Sequence, residues 1–191
     1  MRKLIVLGGL YAALSGLLLL RGDSPEPIRY VHPGGTDTAP AGGSAAEWFQ
    51  AMKPYCNAVE VQTRHGWNPP PTSLEGNGYS AACYALAGKI DRARGLIIDV
   101  APADRWRAAG IVFGAGHAIA DAGDDMSAGP IMELVVEFWP NHYMALYHAG
   151  MARYMLGEHE LAVPHLKAFL EEYGADDGWR SNALAVLREI E

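Results

Sequence analysis

The residues of this 191-residue chain with the most chemistry to offer are seven histidines and two cysteines. His159-Glu160 opens like a zinc-protease box, which needs two histidines four apart on one helix face. The next histidine is His165, six residues on and beyond Pro164. Ligands so spaced do not share a face, and the box is excluded. Gly114-Ala115-Gly116 follows Ile111-Val112-Phe113 like the start of a dinucleotide loop. Ile119 stands at the third glycine position and no strand–helix–strand unit surrounds it, so that motif is excluded too. There is no G-x-S-x-G elbow and no C-x-x-C pair. His117 and Asp121, four apart, read as a solvated helix-face pair in which the carboxylate raises the imidazole pKa. His142 and His148, six apart, read as unrelated. The expectation is no catalytic residue, no metal ligand and no cofactor. Convergence of distant histidines on an ion is the alternative that spacing leaves open.

Cys56 and Cys83 are the whole thiol inventory. In an oxidising compartment an even pair invites a disulfide; the other reading is two separate buried thiols. The compartment follows from the first twenty residues. Met1-Arg2-Lys3 is basic, and Leu4 to Leu20 then runs 17 residues without a charge. As a helix this stretch spans about 26 Å, slightly short of a hydrocarbon core of roughly 30 Å. It ends in four leucines and Arg21 with no small-residue cleavage site, which favours an uncleaved anchor over a secretory signal. Arg2 and Lys3 hold the N-terminus on the cytoplasmic side. In a bacterial inner membrane that makes a single-pass protein with a periplasmic C-terminal domain. Gly8, Ala12 and Gly16 form a small-residue stripe suited to packing against another membrane helix. Residues 22–43 carry four prolines and two Gly-Gly pairs and read as a tether.

Half of the chain is apolar and 19% is charged, too apolar for disorder. Beyond Arg21 there are 12 basic and 22 acidic residues, a net charge of -10. A domain that acidic has no general attraction for nucleic acid or anionic lipid.

The elements that must position these residues begin at Ser44. Ser44-Ala45-Ala46-Glu47 has capping-box spacing, and Trp48, Phe49 and Met52 follow at helical intervals. Pro54 should bend or end that helix. Val59 and Val61 alternate like a strand, leaving Ala58 to Gln62 ambiguous. Pro69-Pro70-Pro71 makes a loop. The segment 44–73 thus reads as a front cap.

From residue 74 the chain aligns with itself at offsets of 35 and 34 residues. The columns read Ala81, Gly116, Gly150; Gly88, Gly123, Gly157; Ala93, Ala128, Ala162; Ile97, Met132, Leu166; and Val100, Val135, Phe169. Pro130 aligns with Pro164 and falls near the start of its helix, where a missing N–H costs little. The best unit carries Leu146, Ala149-Gly150, Ala152, Tyr154, Gly157, Ala162 and Leu166, and the one before it closes on Pro140. This pattern resembles the tetratricopeptide repeat over residues 74–176. The resemblance implies three pairs of antiparallel helices. Small residues sit where helices cross, and glycines end each first helix in a left-handed conformation. A C-terminal helix over 177–191, bearing Trp179, Leu184, Val186, Leu187 and Ile190, covers the end of the stack.

The fold class expected is therefore all-α: a short solenoid of helical hairpins with flanking helices and an N-terminal transmembrane helix. The resemblance also places the first helix of each pair on a concave face. Its lining is Phe113, His117, Ala120 and Asp121, then Met144, Tyr147, Met151, Tyr154 and Met155. Methionine and tyrosine suit an apolar peptide or helix as partner; the alternative occupant is the chain's own end. The function expected is a non-catalytic protein–protein interaction scaffold, an assembly factor or accessory subunit of a larger membrane complex. The alternatives are an envelope enzyme or metal-binding protein using the histidines, or a cleaved, soluble periplasmic adaptor.

Overall fold

The computed structural model describes residues 43–191; the expected membrane span, its Gly8, Ala12 and Gly16 stripe, and nearly all of the tether lie outside them. The described residues fold as nine α-helices with no strand. None of these helices is long and apolar enough to cross a membrane.

Helix α1 (Ala45–Met52) starts on the capping box: Glu47 N–H donates to Ser44 Oγ, and Ser44 N–H donates to Glu47 Oε2. Its buried face is Trp48, Phe49 and Met52. Pro54 ends it, and the chain continues as a single 3-10 turn, Lys53–Tyr55. The segment that alternates like a strand instead enters helix α2 (Val61–Trp67). The reason is local: Asn57 Oδ1 accepts from the N–H groups of Val59 and Glu60, a turn that feeds a helix.

Three helix pairs follow. The first is α3 (Leu74–Leu86) with α4 (Ile90–Ile98). The second is α5 (Arg105–Asp121) with α6 (Asp125–Phe138). The third is α7 (Tyr143–Met155) with α8 (His159–Glu172). Helix α9 (Gly178–Ile190) closes the chain. Gly88, Gly123 and Gly157 have φ of 71°, 87° and 74°. At each, the next residue's N–H reaches back over the turn, Lys89 to Tyr84 O, Asp124 to Ile119 O and Glu158 to Arg153 O. This is the glycine stop that the periodicity predicts. The columns of large apolar residues, Ile97, Met132 and Leu166, with Val135 and Phe169, are all fully buried.

The crossings are built on missing side chains. A Cβ on Gly116 would lie 2.7 Å from Ile131 Cγ2, and one on Gly150 would lie 2.7 Å from Leu166. These are the contacts within the second and third pairs. Pro130 and Pro164 correct the sequence expectation. Each lies inside its helix, α6 and α8, beyond the first turn, so an acceptor carbonyl one turn back loses its bond.

Successive pairs do not join in the same way. Helix α5 lies close against α3, where a Cβ on Gly78 would meet Ile111 Cδ1 at 2.6 Å. Helix α7 instead lies close against α6, where a Cβ on Gly129 would meet Ala152 Cβ at 2.5 Å. The cause is visible in the repeat alignment. The column that holds Gly78 in the first pair holds Phe113 and Tyr147 in the next two. Aromatic rings rather than a glycine then fill the space between α5 and α7.

Cys56 and Cys83 form a disulfide with a Cα–Cα distance of 4.8 Å, tying the segment after α1 to the core of α3. Around it Phe49 stacks on Tyr79, and Trp48 meets His65 edge-on.

Candidate functional site

Helix α7 carries most of the residues expected to receive a partner, and the chain's own α9 lies on them. Tyr147 and Met151 are buried. Asn182 Nδ2 donates to the Tyr147 hydroxyl at 2.6 Å and lies 3.9 Å from Met151 Sδ. Tyr154 donates its hydroxyl to Glu189 at 2.9 Å, and Trp179 packs edge-on against Tyr147. Ala183, Val186 and Leu187 complete the apolar contact. Tyr147, Met151 and Tyr154 thus meet α9 of the same chain, the alternative occupant that the sequence offered. Among the remaining expected residues, Phe113 is buried, Met144 is half-buried and packed on the core, and Met155 and Asp121 are exposed.

Between α5 and α7 runs a layer of rings. His142 and His117 both pack on Phe113, with centroids at 4.0 and 4.6 Å. His117 meets His148 at 5.2 Å, and His148 meets Trp179 at 5.7 Å. Spacing in the chain made His142 and His148 unrelated; the fold seats both beside the Phe113–His117 stack. A helix step of six residues separates them by more than one turn, but the N-cap position of His142 swings its ring back toward α5. There its Nδ1 accepts from Ala145 N–H.

His148 is 1% exposed. Its Nδ1 lies 2.7 Å from Asp125 Oδ1, at the start of α6. An ionised carboxylate can only accept, so His148 donates from Nδ1, and in the neutral tautomer Nε2 is the nitrogen with the lone pair. His117 Nδ1 lies 3.4 Å from Asp121 Oδ2 on the same helix face. The Nε2 atoms of His117 and His148 are both buried without a hydrogen-bond partner in the protein. One donor atom each from His117, Asp121 and His148 come within 4.8 Å of one another.

The electrostatics differ from a solvated pair. Burial lowers the His117 pKa below the usual imidazole value, outweighing the Asp121 carboxylate that pulls it up, and nearby His148 lowers it further. This corrects the expectation of a raised pKa: the partner was read correctly and the burial was not. Burial also takes His142 down to about 4, against a hydrogen bond to its own backbone that pulls it up, with His117 again opposing a second charge.

Sequence reasoning missed Asp125 and Trp179 as neighbours of His148. An acidic residue in the first turn of α6 reads as helix-dipole compensation, and no spacing rule ties it to a ring 23 residues on. A separate cleft of about 530 Å³ opens beside α2, lined by His65, Ser80, Tyr84, Lys89 and Arg92 among others.

What the fold defines is an all-helical domain of stacked helix pairs. Comparison with family models, with curated proteins and with solved structures finds no match to this chain.

Proposed function

We propose that this chain is a non-catalytic protein–protein interaction module with tetratricopeptide-like helix pairs. It is carried on a transmembrane anchor in the bacterial inner membrane and faces the periplasm. It acts as an assembly factor or accessory subunit of a larger membrane complex. The observation that carries the reading is the seating of α9 on α7. An amphipathic helix lies on a Met- and Tyr-rich face, held by apolar contact and by polar tips such as Tyr147–Asn182. An amphipathic helix laid in an apolar groove is a common mode of helix recognition, and the seating of α9 on this face supports the reading. The Cys56–Cys83 disulfide supports an oxidising compartment.

A surface available to a partner is the turn between α7 and α8, where Met155, Leu156 and Leu161 are half-exposed within seven residues of sequence. Single exposed apolar side chains are ordinary; three around one turn favour a contact. The test is extraction of the full chain from its own membranes in mild detergent, with cross-linking. A stoichiometric membrane-protein partner that is lost in the Met155→Glu/Leu161→Glu double variant supports the proposal. A chain that runs alone as a monomer, or a partner retained by that folded variant, overturns it.

A further inference from the structure

We propose that His117, Asp121 and His148 form a binding site for one divalent transition-metal ion of the zinc class, with Asp125 as the residue that orients His148. The site lies between α5 and α7, where aromatic rings rather than glycine separate the helices.

Three independent observations converge there. First, donor atoms from two imidazoles and one carboxylate already cluster within 4.8 Å of one another. Second, His148 is almost wholly buried, yet its Nε2 has no partner in the protein. A buried lone pair with nothing to accept is costly, and an ion would satisfy it. Third, the 2.7 Å contact from His148 Nδ1 to Asp125 leaves Nε2 as the free nitrogen. A carboxylate behind an imidazole is the usual second layer of a histidine metal site; it sets the tautomer and raises the basicity of the ligating nitrogen.

The donor chemistry selects the ion. Two neutral imidazoles and one carboxylate are borderline to hard ligands, suited to zinc and its neighbours. The soft thiolates that would favour copper(I) are absent, because both cysteines are in the disulfide. Three protein donors leave a fourth position of a tetrahedral ion open to water or to a partner's side chain. Phe113 stacked on His117 and Trp179 against His148 wall the site with apolar surface. The acidic balance of the chain beyond Arg21, net -10, draws cations rather than repelling them.

The experiment uses the full-length, tag-free protein in detergent, stripped with a chelator, dialysed and titrated with zinc chloride. Calorimetry and thermal unfolding are both read. One equivalent of zinc is expected to bind and to raise Tm. His117→Gln and His148→Gln should each abolish the Tm rise. Asp125→Asn should weaken binding by about 10–100-fold. His159→Gln, on the solvent side of α8, should change nothing. Because His148→Gln could unfold the domain, each variant is first compared with the wild type in its metal-free circular dichroism and Tm. The half-exposed His117→Gln carries the conclusion if the other fails to fold. Cobalt(II) in place of zinc gives a second readout, with visible bands of a four-coordinate ion expected in the wild type alone. Absence of heat and of a Tm rise at zinc up to about 1 mM overturns the proposal. So does a zinc-induced rise that persists in the folded His117→Gln variant.

Discussion

Asp125 Oδ1 and His148 Nδ1 lie 2.7 Å apart and join helices of different pairs. The ring is 1% exposed and its other nitrogen has no protein partner. Asp125→Ala would leave both ring nitrogens buried and unmatched. A loss of about 1–3 kcal/mol is expected in urea unfolding of the metal-free protein. A loss below about 0.5 kcal/mol would show that the contact contributes little.

Gly129 lies tightly against Ala152 where α6 meets α7. Gly129→Val would drive a side chain into Ala152 Cβ, which is fixed to backbone and cannot swing away. A destabilisation of about 1–3 kcal/mol is expected, by the usual cost of overpacking. Gly114 sits in the middle of α5 with nothing within 4 Å of a built Cβ. Gly114→Ala should therefore stabilise by about 0.5–1 kcal/mol, because it lowers the entropy of the unfolded chain. Opposite signs of the two shifts in Tm would verify the assignment of crossing and free glycines.

The disulfide closes a loop with a sequence separation of 27 residues. Loop-closure entropy gives a stabilisation of about 3–4 kcal/mol for a loop of that length. The Cys56→Ala/Cys83→Ala double variant should unfold at a clearly lower temperature than the oxidised wild type. Reductant should lower the Tm of the wild type and leave the variant unmoved.

Acid should loosen the domain before its carboxylates titrate. His142 has a folded pKa of about 4, below the ordinary imidazole value of about 6.5. His65, buried between Trp48 and Tyr84, is shifted the same way by burial and by Arg92. The unfolded chain therefore binds more protons than the folded one between those values. The stability from keeping the rings neutral is fully present above about pH 6.5 and is lost as pH falls toward about 4. Protonation of His142 also removes the acceptor that caps α7. His142→Asn keeps a capping acceptor without the titration. Its Tm should fall less than the wild type's between pH 7 and pH 5; an equal fall would remove His142 from the account.

Removal of residues 177–191 strips α9 from Tyr147 and Met151. The truncated chain should expose an apolar face, bind a hydrophobic dye and unfold at lower temperature. An unchanged Tm would mean that α9 rests on the array without supporting it.

Some helix starts and stops were plain in the sequence because they depend on near neighbours. Ser44 with Glu47, Asp177 at the start of α9, and the glycines at 88, 123 and 157 act within a turn of where they stand. The small residues at crossings, Gly116 and Gly150, showed through their recurrence. The histidine–carboxylate centre did not. Its members come from the C-terminal end of α5, the first turn of α6 and the middle of α7. Nothing in local spacing registers that Phe113 stands where Gly78 would predict close approach, and that this spacing admits two imidazoles. The pKa of His117 was misread for the same reason. Its charged neighbour lies four residues away, whereas its burial comes from other helices.

The unlike junctions, α3 on α5 and α7 on α6, bear on how such a chain could grow or be shortened. In an array with uniform junctions, one pair can be duplicated or deleted and the flanks rejoin. Here the second pair is an adaptor whose two sides fit different neighbours. Its excision would set Gly78, shaped to receive Ile111, opposite Ala145, the residue in the same column of the third pair. Among the described residues the pairs are therefore not interchangeable modules, because each junction is cut to its own neighbour.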